Sequence, residues 1–86
     1  MSGVVALHRI VTMPRFDDFE EASDWFHRHA GKVEPGAKAD GLETFTLTVH
    51  GVTSTVVSYH PTDLDSYYRA FVAACNELLA RLPGPT

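Results

Sequence analysis

Five histidines, one cysteine and a carboxylate-rich helical segment are the groups in this 86-residue chain that could do chemistry. His27 and His29 stand two apart on a helix, so they point to different sides and do not chelate one ion together. His8, His50 and His60 fall on or beside strand segments and meet only if the sheet order brings them together. The chain has no His-x-x-x-His, Cys-x-x-Cys or glycine-rich phosphate loop, so neither a metal site nor a cofactor is expected. Cys75 falls near the centre of an apolar helical face without a basic neighbour there, the setting of an inert core thiol. Asp17, Asp18, Glu20, Glu21 and Asp24 crowd a helix start, where carboxylates complement the dipole. Trp25 lies one turn before His29 on the flank of an apolar stripe, as a core rim or as an interface anchor. Tyr67 and Tyr68 carry the same two readings, with core packing favoured.

The elements that must position these groups follow from pattern. Val4 to Thr12, VVALHRIVT, is apolar at nearly every position and reads as a strand covered on both faces or buried in an oligomer. Pro14 breaks it. A helix follows, with Asp17 as N-cap, Glu20 three residues on, and a core stripe of Phe19, Ala22, Phe26, Ala30 and Val33. Gly31 or Gly36 ends it, and residues 34–41, with Pro35, Gly36 and Gly41, read as a loop. In LETFTLTVH, Phe45, Leu47 and Val49 alternate with Thr44, Thr46 and Thr48, the period of a half-buried strand. His50-Gly51 is placed for a two-residue hairpin turn. Pairing Val49 with Val52 sets Phe45 opposite Val56 and Thr46 opposite Thr55. The last helix starts with Thr62 as N-cap and Asp65 at its third position, and Pro83 stops it. Its apolar face is wider than a three-stranded sheet needs. One domain over residues 1–86, with an ordered core of about 4–82, is expected. Its class is α+β: β-α-β-β-α, an antiparallel-type sheet of order 1-3-2 with two helices packed on one face.

Phe16, Phe19, Ala22, Trp25, Ala30 and Glu34 repeat the helix spacing of the pterin-4a-carbinolamine dehydratase family, which residues 6–80 resemble. Ala6-Leu7-His8-Arg9 is similar to the start of that family's strand, and Tyr59-His60 stands where the family has Thr-His. The resemblance implies His60 as a catalytic acid/base, with His8 or His50 as replacements for missing groups. The family's His-His-Pro signature is absent: Pro35-Gly36-Ala37-Lys38-Ala39-Asp40 occupies that stretch. A dehydration that moves protons at two positions is poorly served by one imidazole.

Three functions are compatible with these residues. The first is a non-catalytic protein-interaction or oligomerisation module on a dehydratase-like fold, with Trp25, Tyr67 or Tyr68 as anchors. The second is a pterin dehydratase-type enzyme with an altered site, with His60 as the remaining acid/base and His8 or His50 as replacements. The third is a small inhibitor that binds a larger macromolecular machine. The missing signature favours the first. A net charge of −4 and a pI near 5.6 argue against a nucleic-acid partner. The lack of a long apolar run argues against the membrane. With no signal-peptide pattern, a cytoplasmic location is expected. The apolar first strand and wide last helix make a homo-oligomer the expected assembly, with a protein partner as a further possibility.

Overall fold

The computed structural model describes residues 15–83, so the expected first strand and His8 within it lie outside the described residues. From there the chain forms α1 (Phe19–Arg28), β1 (Lys32–Pro35), β2 (Glu43–Val49), β3 (Val52–Thr53), β4 (Val57–Tyr59) and α2 (Leu64–Arg81). The described residues make an α+β arrangement of two helices and a four-stranded antiparallel sheet, in an order consistent with β-α-β-β-α. No helix among the described residues is long and apolar enough to cross a membrane.

Asp18, not Asp17, caps α1. Its carboxylate accepts the Glu21 N–H at 2.8 Å, and the Glu21 carboxylate reaches back to the Asp17 N–H at 3.4 Å. Phe19 sets this phase, because as the first helical residue it stacks on Tyr68 at 4.3 Å and meets Phe71 edge-on at 5.1 Å.

The helix also ends earlier than its apolar stripe suggests. Ala30 N–H donates to the His27 carbonyl (3.1 Å) and Gly31 N–H to the Phe26 carbonyl (2.8 Å). These two bonds are a Schellman closure. Gly31 is needed for space: a Cβ there would lie 2.3 Å from the Phe26 ring. The left-handed conformation falls instead on Ala30, at φ 54°. Ala30 is therefore exposed and outside the core stripe, and Val33 stands in a strand. Ala30→Gly removes the steric penalty of that conformation and should raise stability by about 1 kcal/mol. A urea midpoint that rises at constant slope is the expected readout, and an unchanged or lower midpoint would refute it.

β1 takes in Val33, expected in the helical stripe, and Glu34 and Pro35, expected as loop. It pairs with β2 from Lys32↔Thr48 to Pro35↔Phe45, and Gly36 N–H continues the ladder to the Thr44 carbonyl at 2.8 Å. Proline is compatible with the strand because it sits on an edge, where no partner needs its missing N–H.

The hairpin falls at His50-Gly51, with both residues at positive φ (50° and 80°) and Val49 opposite Val52. That matches a type I′ turn. The register then slips by one. Phe45 pairs with Val57, not Val56, and Thr44 with Ser58. The extra residue is a bulge that divides the return strand into β3 and β4. Ser54 repairs the ladder at this point: its N–H donates to the Leu47 carbonyl at 2.8 Å, and its hydroxyl accepts the Leu47 N–H at 3.0 Å. Val56 is consequently 60% exposed, while Val57 and Tyr59 turn toward the core.

Asp63, not Thr62, caps α2, accepting from Asp65 and Ser66 N–H at 3.1 and 3.3 Å. The Asp63 N–H to His60 carbonyl bond (3.0 Å) closes a turn over Pro61-Thr62 and so moves the cap one residue on. Leu82, before Pro83, ends the helix. Ala22 and Phe26 from α1, Phe45, Leu47 and Val49 from β2, and Phe71, Cys75 and Leu78 from α2 make one core. Asn76 ties down the approach to α1, accepting Phe16 N–H at 2.7 Å and donating to its carbonyl at 3.1 Å.

Candidate functional site

The two ends of β2 hold different chemistry. At the hairpin end, His29 caps α1 and His50 occupies the turn. Their rings meet edge to face, with His29 Nδ1 2.9 Å from His50 Nε2. Trp25 lies under His29, ring centres 5.3 Å apart, and Phe16 packs on Trp25 at the same 5.3 Å separation. Trp25 is 9% exposed, so it serves as the rim of the core and offers little surface to a partner. His27 turns away, with its Nδ1 2.8 Å from the Ser23 carbonyl oxygen.

At the opposite end, Tyr59, Tyr67 and Phe45 form an aromatic cluster with centroid separations of 5.1 to 5.7 Å. Tyr59 O–H donates to Glu43 at 2.9 Å, and Lys38 approaches the same carboxylate at 3.5 Å. The hydrogen bond to that carboxylate, and then burial, raise the Tyr59 pKa above the ordinary phenol value. Burial raises that of Tyr67. Tyr68 is half-buried against Phe19 and borders a groove with Arg15, Asp17, Arg69, Val72 and Asn76. Asp65 pairs with Arg69 beside it.

His60 follows β4 and is exposed; its N–H donates to Ser66 Oγ at 3.1 Å. Because Tyr59 pairs with Glu43 while His50 follows Val49, the two histidines sit at opposite ends of one strand. β2 is seven residues long from Glu43 to Val49, which spans roughly 20 Å at the rise of an extended chain. His50 therefore cannot supply a second proton-transfer group beside His60. His50 instead meets His29, a contact that a helical stripe running to Val33 and a loop over 34–41 would not bring about. Strand β1 is the cause: with Lys32 opposite Thr48, the chain just before β1 must run beside the hairpin tip.

Cys75 is fully buried, its thiol pKa pushed up to about 12 by desolvation, so it is an unreactive packing group. Glu77 binds the bulge from α2, accepting Thr55 N–H at 2.9 Å and pairing with Arg81 at 2.9 Å. The Thr55 N–H, followed by its hydroxyl and the Arg81 guanidinium, lowers the Glu77 pKa against an opposing contribution from burial. Among the described residues no three His, Cys, Asp or Glu side chains converge as a metal-binding group.

Among the described residues no strand pairs with the outer side of β1, all four of whose residues are exposed. Antiparallel bonds alternate. With Gly36 bonded to Thr44, Lys32 and Glu34 point their backbone groups at β2, whereas Val33 N–H and C=O face outward. Val33, on the apolar side of the sheet opposite Leu47, is 45% exposed. No family model, curated protein or solved structure matches this chain.

Proposed function

We propose that this chain is a non-catalytic interaction module that self-associates through β1, on a scaffold akin to the pterin-4a-carbinolamine dehydratases. The observation that carries the reading is the self-complementarity of the open edge. A two-fold axis at Val33 lets its N–H and C=O exchange hydrogen bonds with Val33 of a second copy. The same register sets Lys32 directly opposite Glu34 of that copy, twice over, on the threonine face of the sheet. Neither Lys32 nor Glu34 has an ion-pair partner among the described residues. Pairing stops on either side, because Pro35 has no N–H and Gly31 N–H is committed to the Phe26 carbonyl. The contact is therefore short, and the association is concentration-dependent. The scaffold kinship is supported by Phe16, Ala22 and Trp25 packing in the phase the resemblance implies, although Ala30 and Glu34 fall outside the helix.

Sedimentation velocity over a concentration series tests this reading. Lys32→Glu and Glu34→Lys each replace attraction by repulsion and should weaken the dimer by about tenfold, roughly 1.4 kcal/mol over two symmetric pairs. The double exchange, Lys32→Glu with Glu34→Lys, restores opposite charges and should recover wild-type association. A wild-type chain that stays monomeric throughout, or a double exchange no better than the singles, overturns it.

A further inference from the structure

His29 and His50 belong to elements that have no reason to touch except through β1, yet they place two ring nitrogens face to face at 2.9 Å. We propose that this pair is a two-imidazole chelating site for a divalent late transition-metal ion, with Cu²⁺ the best fit and Ni²⁺ and Zn²⁺ next. Two nitrogens each about 2.0 Å from one ion, at right angles, lie about 2.8 Å apart, as tetragonal coordination requires. The observed separation is within a tenth of an ångström of that value, and binding turns each nitrogen from the other ring toward the ion. A tetrahedral ion needs about 3.3 Å between ligand nitrogens, so Zn²⁺ must part the rings slightly. The rings stand at 89° to each other, and His50 is exposed, so water can complete the coordination shell.

The surroundings suit a cation. His29 stands at the C-terminal end of α1, where the helix dipole is negative. Arg28, its neighbour, is engaged by Asp24 at 3.2 Å, and Lys32 lies on the threonine face of the sheet. His27 is turned to Ser23 and is not a third ligand.

Binding replaces the proton that the two rings share. The ring carrying it on its inner nitrogen moves it to the outer one, which leaves both inner nitrogens with a lone pair for the ion. Each ring then gives one lone pair to the ion. Metal binding would thus fasten the hairpin tip to the end of α1.

Trp25, the sole tryptophan, lies 5.3 Å from the His29 ring and reports directly on a paramagnetic ion there. CuCl₂ titration of the full chain near neutral pH should quench its fluorescence saturably, with one-to-one stoichiometry. His29→Ala and His50→Ala should each raise the midpoint by about tenfold or more, since loss of a ligand costs at least what loss of a supporting contact does. His27→Ala and His60→Ala should leave the midpoint unchanged, and Mg²⁺ should not quench. Electron paramagnetic resonance of the Cu²⁺ complex should show two equatorial nitrogens in the wild type and at most one in either ligand variant. Far-ultraviolet circular dichroism confirms that each variant is folded, and His29→Gln and His50→Gln stand in for an alanine variant that is not. Equal Cu²⁺ midpoints in the wild type and a folded His50 variant overturn the proposal, as does a wild-type spectrum without two nitrogens.

Discussion

Leu47→Ala is expected to remove about 3–5 kcal/mol of folding stability, the upper range for truncating a fully buried leucine. Leu47 is the centre of the middle strand, entirely shielded from solvent, with Phe45 and Val49 beside it on the apolar face. Both sides of its strand are paired, so the backbone has little freedom to close the cavity. A domain of this size holds a total stability of about 5–15 kcal/mol. The loss therefore brings the protein near its unfolding threshold at physiological temperature. Urea unfolding followed by circular dichroism checks this, and a loss below about 1 kcal/mol would show that the sheet register around Leu47 is wrong.

Ser54→Ala is the second large effect, and it comes from one hydroxyl. Ser54 is 5% exposed; its Oγ accepts the Leu47 N–H and donates to the Thr55 carbonyl at 3.0 Å. At the bulge, that oxygen occupies the place a strand carbonyl would take in a regular ladder. Alanine leaves the Leu47 N–H buried without a partner, which costs about 1–3 kcal/mol. Ser54→Thr retains the hydroxyl and should recover most of the loss. Hydrogen exchange supplies the independent test: the Leu47 amide should exchange markedly faster in the alanine variant, measured against other β2 amides. Equal protection in wild type and variant would remove Ser54 from the ladder.

The bulge marks where pattern reading stops. The apolar run Val56-Val57 offers two valines, and alternation from Val49↔Val52 selects Val56 as the inward one. The structure selects Val57 because Ser54 can satisfy Leu47 from its side chain and Glu77 can hold the displaced Thr55 from α2. Both compensations are contacts between residues far apart along the chain or across strands. Neither has a periodicity. The helix caps fail more mildly: Asp17 and Asp18 are adjacent carboxylates, Thr62 and Asp63 are adjacent capping side chains, and the choice falls to the packing of Phe19 and the turn at His60.

The candidate sites divide along the same line. Cys75 as an inert core thiol, the separation of His27 from His29, and the hairpin at His50-Gly51 were legible, because helix phase and turn stereochemistry are local. The His29–His50 contact and the open, self-complementary edge of β1 were not. Both require knowing that residues 32–35 are extended and paired, and a four-residue segment of lysine, valine, glutamate and proline carries no strand signal of its own.

What the sequence determined by itself was therefore the class and the elements with long, regular patterns: α1 near Phe19, the alternating β2, its hairpin, and α2 up to Pro83. Burial drives these through repeats of two and 3.6 residues, which a single segment expresses in full. The tertiary structure decided where α1 stops, that Lys32–Pro35 is a strand, how the return strand is broken, and which histidines meet. Each depends on a partner distant in sequence: the Phe26 ring over Gly31, β2 beside β1, and Glu77 under Thr55. Such contacts are set by the closing of the whole core, which no local run of residues specifies.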